Sequence, residues 1–380
     1  MASASTVENN EDLLTEILLR LPVKSLMRFR CVSKRWQSQI SNPFFPRSHT
    51  LHHYTPFPSH LLDTNVHTTG HSSFITMPSS DNNVSHNPMI TDFRFLNLPH
   101  SIFIIQSCNG LLLLRVGHYP NSVYYVCNPI TKRFLALHLP TALGRDEAEV
   151  VYLSFEPLRS SHYKVILMRF EHETDTTSNW HIDMINVYSS NTGCWTDFGF
   201  FQPPLQVEGS FEFKGTYCNG VIYWHCNNEE SMYCDVENQC FGTFPMPCDG
   251  QFELADVLYF GESGGRLHMI LRQSDRTYFD IFELREDLSE WSARFRVDLD
   301  GLFGNYFVVM CFFRRVKVED SMLVFLMRRQ VMLYNLSDCT CKRLVDFNHS
   351  LSPLVKLLVD SPTVLQYSAS LSWDGDSSAF

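Results

Sequence analysis

Apolar positions in the first forty residues recur at helical spacing, and beyond residue 100 they come in short bursts of strand length. Leu13, Leu14, Ile17, Leu18 and Leu21 fall at i, i+1, i+4, i+5 and i+8, the broad stripe of one amphipathic helix. Pro22 interrupts the run and suits the first turn of a second helix, where its missing N–H costs nothing; that helix carries Val23, Leu26, Met27 and Phe29. Val32, Trp36 and Ile40, at i, i+4 and i+8, mark a third. Three helices are therefore predicted between Glu11 and Ile40. A unit of under about 40 residues seldom buries this much Leu, Ile and Trp by itself. Its surplus apolar face requires a second surface, either the rest of the chain or another protein.

From Asn42 to Ser101 the pattern weakens into a polar connector with strand-like patches at Ser73–Met77 and Phe93–Leu98. Seven histidines (49, 52, 53, 60, 67, 71 and 86) fall between positions 49 and 86, but no ligand spacing recurs and no metal site is expected.

A repeat follows. SCNGLLLLRV (107–116) leads into VYYVCNPITKRFLALHLP (123–140), and YCNGVIYWHC (217–226) into SMYCDVENQCFGTFPMP (231–247). INVYSSNTGCWTDFG (185–199) and QVMLYNLSDCTCKRLVDF (330–347) repeat the second half, and FDIFELREDLSEWSARFRV (279–297) is a longer copy with a charged turn. In each, a strand ends in a small polar residue, turns tightly and resumes. Asn128, Ser189, Asp235 and Asn335 are the turn residues, since such side chains bond their own backbone two residues on. Phe134, Trp195 and Phe241 follow six positions later in three copies and restart the inner face; the fourth has Cys341. The spacing from Asn128 to Ser189 is 61 residues, from Ser189 to Asp235 is 46, and from Asp235 to Asn335 is 100, or two units. Periods of about 50 residues belong to kelch-type propeller blades. Five copies are visible, and a sixth blade is expected from strands around 93–105 and 364–373.

Composition narrows the function. A net charge of −11 argues against nucleic acid as the main partner, because phosphate binding concentrates Lys and Arg. Residues 1–10 are polar, the first apolar run is amphipathic, and no apolar stretch has the length of a membrane span, so a cytoplasmic or nuclear protein is expected. The twelve cysteines then read as reduced, buried small hydrophobes, Cys339 and Cys341 among them on one strand face. Gly261, Ser263 and Gly265 fit a nucleophile-elbow spacing, but the RLHMILR that follows alternates as a strand, so a hairpin is expected there rather than a hydrolase site. No phosphate loop, dinucleotide fingerprint or catalytic pair stands out. Arg314-Arg315 and Arg328-Arg329 read as solvated strand ends.

The order Leu-Leu, Ile-Leu, Leu-Pro-Val, Ser-Leu, Arg-Cys-Val-Ser-Lys-x-Trp, Ile in residues 13–40 resembles the F-box, with Asn9 and Asn10 standing where many F-boxes open on Leu-Pro. NGLLLL, CNP-x-T, YKV, VY-x-x-x-T-x-x-W and NG-x-x-YW, in that order, resemble the F-box-associated, kelch-like domain of plant F-box proteins. The resemblance implies an F-box at 8–48, a polar connector at 49–92 and an all-β propeller of about six blades at 93–375. It further implies a non-catalytic substrate receptor of a Skp-cullin-F-box ubiquitin ligase. Leu13, Leu14, Ile17, Leu18, Leu21, Pro22, Leu26, Val32 and Trp36 would meet the Skp-type adaptor, through it cullin and a RING subunit, while the propeller holds a protein target. No cofactor and no metal are implied. The alternatives are a propeller enzyme capped by the helices and an adaptor-bound scaffold that degrades nothing.

Overall fold

The computed structural model describes residues 10–42, 44–53, 60–63, 65–66, 71–76, 89–97, 102–117, 122–140, 147–172, 179–198, 206–208, 215–225, 230–247, 257–272, 278–298, 307–314, 320–327, 330–346 and 364–367. Among the described residues four helices come first: α1 (Glu11–Leu19), α2 (Val23–Phe29), α3 (Lys34–Ile40) and α4 (Phe45–His53). Asn10 caps α1, its Oδ1 accepting from the amides of Asp12 (3.1 Å) and Leu13 (3.2 Å), with Glu11 and Asp12 acidic at the positive end of the dipole. Pro22 stands just outside α2 as its N-cap, and Ser33 caps α3 by accepting from the Trp36 amide. Leu14, Leu18, Val23, Leu26, Ile40 and Phe45 form the core between the helices.

The remaining strands make antiparallel sheets. Blade one is Ile102–Cys108, Leu111–Val116, Val123–Asn128 and Arg133–Leu137, with Asn65–Val66 added at its inner edge. Blade two is Glu147–Ser154, Lys164–His172, Asn179–Ser189 and Cys194–Asp197, extended by Gln206–Glu208. Blade three is Thr216–Cys218, Val221–Trp224, Glu230–Asp235 and Cys240–Pro245. Blade four is Val257–Ser263, Arg266–Arg272, Tyr278–Leu284 and Trp291–Asp298, and blade five Phe307–Phe313, Met322–Met327, Gln330–Asn335 and Cys341–Asp346.

These five blades are the five repeat copies read in the sequence. The expectation of about six is corrected. The strands meant for a sixth are divided: Ile102–Cys108 opens blade one, and Phe93–Leu98 holds a 3-10 turn (Arg94–Leu96) instead of a strand. Val364–Tyr367 pairs with His60–Asp63, beside His71–Thr76 and Met89–Asp92, in a sheet that joins the two ends of the chain. Val364–Tyr367 neighbours the inner strands of both blade one and blade five, so this mixed sheet protects the edge that an open ring would expose.

The core lies between adjacent blades, and inner strands such as Leu111–Val116 and Arg266–Arg272 are buried on both faces. Leu111, Leu112, Leu113 and Leu114 are all fully buried. Leu111 and Leu113 pack toward Leu153 and Val165 of blade two, while Leu112 and Leu114 pack on Phe93 and Leu96. In blade two Val151 and Leu153 face blade one, and Tyr152 faces Ile222 and Trp224 of blade three. This period of two explains continuous apolar runs where a half-exposed sheet would alternate.

Candidate functional site

The helical module divides the nine sequence-selected residues by position. Leu14, Leu18 and Leu26 are buried in its core, and Leu21 and Trp36 are partly buried against it. Trp36 meets Phe29 edge to face, centroids 5.3 Å apart. Leu13 and Ile17, one turn apart on α1, are 46% and 43% exposed; Val32, in the turn before α3, is 61% exposed, and Pro22 is exposed as well. The side chains available to a partner are thus Leu13, Ile17, Pro22 and Val32, while Leu14, Leu18 and Leu26 hold the helices together.

The sequence pattern missed α4 and its exposed Phe44 and Leu51. A start signal was present in Asn42-Pro43: Asn42 Oδ1 accepts from the Phe44 amide at 2.9 Å. Phe45 packs into the core, and His49, buried, bonds the Leu21 carbonyl through Nε2 at 2.8 Å. This gives a partner to a carbonyl in the turn between α1 and α2.

In the propeller, the repeat residues are turn-builders. Asn128 Oδ1 accepts from the amides of Ile130 (3.0 Å) and Thr131 (3.1 Å), and Asp235 Oδ1 from Glu237 (3.0 Å) and Asn238 (2.9 Å). Ser189 accepts from Asn191 and Asn335 from Ser337. The aromatics six residues on sit at blade edges. Phe134 rests against Tyr125 and Phe95, and Phe241 against the core between blades two and three. Trp195 rests on Tyr188 and reaches back a blade, its Nε1 donating to the His138 carbonyl at 2.8 Å. Trp291 does the same from blade four to the Pro245 carbonyl at 2.7 Å.

On the inner edge, Asn109-Gly110 and Asn219-Gly220 make two-residue hairpins with positive φ at both positions, 45° and 90° in the first and 49° and 90° in the second. Each Asn donates to the next blade, Asn109 to the Phe155 carbonyl (2.7 Å) and Asn219 to that of Gly265 (2.9 Å).

The Gly261–Gly265 stretch is the expected hairpin, with Ser263 paired to Arg266. Ser263 is buried, its Oγ accepting from the Arg314 amide at 2.8 Å, so it is no exposed nucleophile. Arg314 corrects the expectation of a solvated strand end: its Nε donates to Glu283 Oε2 at 2.7 Å. Arg315 and the Arg328-Arg329 pair lie outside the described residues. Glu283, with its side chain 5% exposed, also accepts from Arg294 (2.9 Å) and faces His268 Nε2 at 3.3 Å. Burial works to raise the Glu283 carboxyl, but the hydrogen bonds from His268 and Arg314, with the charge of Arg314, outweigh it and bring it to about 2. Burial, with Arg314 beside it, lowers His268 against the pull of Glu283, so the ring is neutral near pH 7. A neutral imidazole donates once, either from Nε2 to Glu283 or from Nδ1 to the Arg266 carbonyl 3.1 Å away.

Of the clustered cysteines, Cys218 and Cys234 are buried and Cys240 is exposed, while Cys226 and Cys248 lie outside the described residues. Burial holds the Cys234 thiol up at about 12. Cys339 departs from the strand-face reading: it is exposed in the turn at φ 56°, and the strand begins at Cys341. Among the described residues no three His, Cys, Asp or Glu side chains are grouped to hold a metal, and no helix is long and apolar enough to cross a membrane.

A short helical module beside a propeller defines the class: a two-part chain in which a small helical unit is joined to a β-propeller. Residues 10–48 match the F-box domain, and residues 60–297 match the F-box associated beta propeller domain. The chain belongs to the F-box proteins that carry this propeller domain. Relatives in Arabidopsis thaliana include F-box protein At5g07610, 29% identical over 91% of this chain and 87% of its own length. F-box/kelch-repeat protein At3g23880 is 25% identical over 86% and 87%, and putative F-box protein At3g10240 is 31% identical over 74% and 70%.

Proposed function

We propose that this protein is the substrate-recognition subunit of a Skp-cullin-F-box ubiquitin ligase: its F-box docks on a Skp-type adaptor, and its propeller binds a protein target for ubiquitination. The observation that carries the reading is that the F-box leaves Leu13, Ile17 and Val32 outside its core, 46%, 43% and 61% exposed. Three apolar side chains left in water on a docking module call for a partner. The protein's own part is proximity and orientation, and the bond-making belongs to the partner enzymes. The F-box family of its relatives, adaptors and receptors rather than enzymes, fits this role. We place it in the cytoplasm or nucleus, where such ligases work.

The test is co-purification of the full chain with a plant Skp-type adaptor, beside Leu13→Asp and Ile17→Asp. Trp36→Ala is a poorer probe, because Trp36 is wedged against Phe29 and its loss disturbs the fold. Retention of the wild type and loss of both variants, with unchanged circular dichroism, supports the reading. A wild-type chain that stays monomeric beside excess adaptor overturns it.

A further inference from the structure

The turn between the third and fourth strands occurs in every blade, and in blade one it differs from the rest. Asn128 is fully buried there, Ile130 is partly buried, and the hydroxyl of Thr131 is buried with no hydrogen-bond partner. The matching turns are open: Asn191 and Thr192 in blade two, Glu237 and Asn238 in blade three, Asp287 in blade four and Ser337 in blade five are all exposed. Register equates these positions. Arg285 of blade four donates to the Glu290 carbonyl just as Asn335 of blade five donates to that of Thr340, so position two of each turn holds Ile130, Asn191, Glu237, Asp287 or Ser337. Four of the five are polar. Ile130 is the exception, and it packs against the core of the helical module, beside Leu14, Leu18, Val23, Leu26, Ile40 and Phe45.

We infer that the blade-one turn is the seat of the F-box on the propeller, and that Ile130 is the stud that fixes it. A module of this size is short of core, and Ile130 supplies apolar surface from outside it. The Asn128 side chain makes the stud rigid by holding the amides of Ile130 and Thr131, so the apolar residue is presented by a formed turn rather than a loose loop. The helices are thereby held folded and at one orientation before any partner arrives, with Leu13 and Ile17 still free to dock. Under the receptor reading this sets the distance from adaptor to target; the seat itself assumes no adaptor.

The test is hydrogen–deuterium exchange on the full chain alone, wild type against Ile130→Asn and Ile130→Val. Asparagine occupies this turn position in blade two as Asn191, so the blade tolerates it. The expected result is about tenfold faster exchange in the amides of α1 to α4 for Ile130→Asn, with Leu111–Val116 and Val123–Asn128 unchanged and Ile130→Val close to wild type. Helices that exchange at the wild-type rate in Ile130→Asn would overturn the seat. So would blade-one strands that loosen with them, since Ile130 would then serve the blade alone. Because no adaptor is present, neither outcome bears on whether the protein binds one.

Discussion

Replacing Glu283 with glutamine keeps the shape of the side chain and removes its charge. The carboxylate lies 2.7 Å from Arg314 Nε and 2.9 Å from Arg294 Nη2, joining blade five to blade four from a nearly dry position. Holding this group at about 2, against 4.5 in the unfolded chain, is worth about 3 kcal/mol at neutral pH. The sign follows from which state binds protons. Between pH 5 and pH 2 the unfolded chain takes up a proton at this site before the folded one does, so the contribution is complete above the unfolded value and fades as pH falls toward the folded one. Roughly half of it remains at pH 3. Urea unfolding followed by tryptophan fluorescence reads it out, since four of the six tryptophans (Trp180, Trp195, Trp224 and Trp291) lie in blades two to four. Glu283→Gln should lose about 3 kcal/mol at pH 7 and about half that at pH 3. Pairing it with Arg314→Met should give a double variant more stable than the sum of the two losses by about 1 kcal/mol or more. A Glu283→Gln chain within about 0.5 kcal/mol of wild type at pH 7, or a gap that ignores pH, would refute the account.

Three further substitutions test the blade junctions by the same unfolding assay. Tyr152→Phe strips the hydroxyl that accepts from the Gly215 amide (3.0 Å) and from Nε1 of buried Trp224 (2.9 Å), and leaving both donors unpaired should cost about 2 kcal/mol. Trp291→Phe keeps the ring but loses the bond to the Pro245 carbonyl, for about 1 kcal/mol; a loss at or below the scatter of the measurement would mean that water replaces the carbonyl freely. Asn128→Ala removes a fully buried side chain that accepts from two amides and should cost about 2 kcal/mol, whereas Asn335→Ala, which frees one amide at an open turn, should cost about a few tenths; equal losses would mean that burial of Asn128 is irrelevant to the strength of its turn.

What could be read from the chain alone was whatever neighbours in sequence decide. The helical period of Leu13 to Ile40 marked α1 to α3, Asn-Gly pairs marked two hairpins, and a small polar residue before the reversal marked one turn in four of the five blades. These features depend on side chains a few positions apart, so they survive without knowledge of partners. Tertiary structure settled whatever depends on contacts across long separations. Leu13 and Leu14 are adjacent and equally apolar, and only the packing of α2, α3 and α4 buries one and leaves the other in water. Strands of two to six residues between 60 and 92 carry little signal of their own, and Val364–Tyr367 finds His60–Asp63 about three hundred residues away. Ser263, His268, Glu283, Arg294 and Arg314 looked like unrelated polar positions because only the register of two neighbouring blades brings them together. Ile130 reads as one more turn residue until a helical module from the far end of the sequence is laid against it.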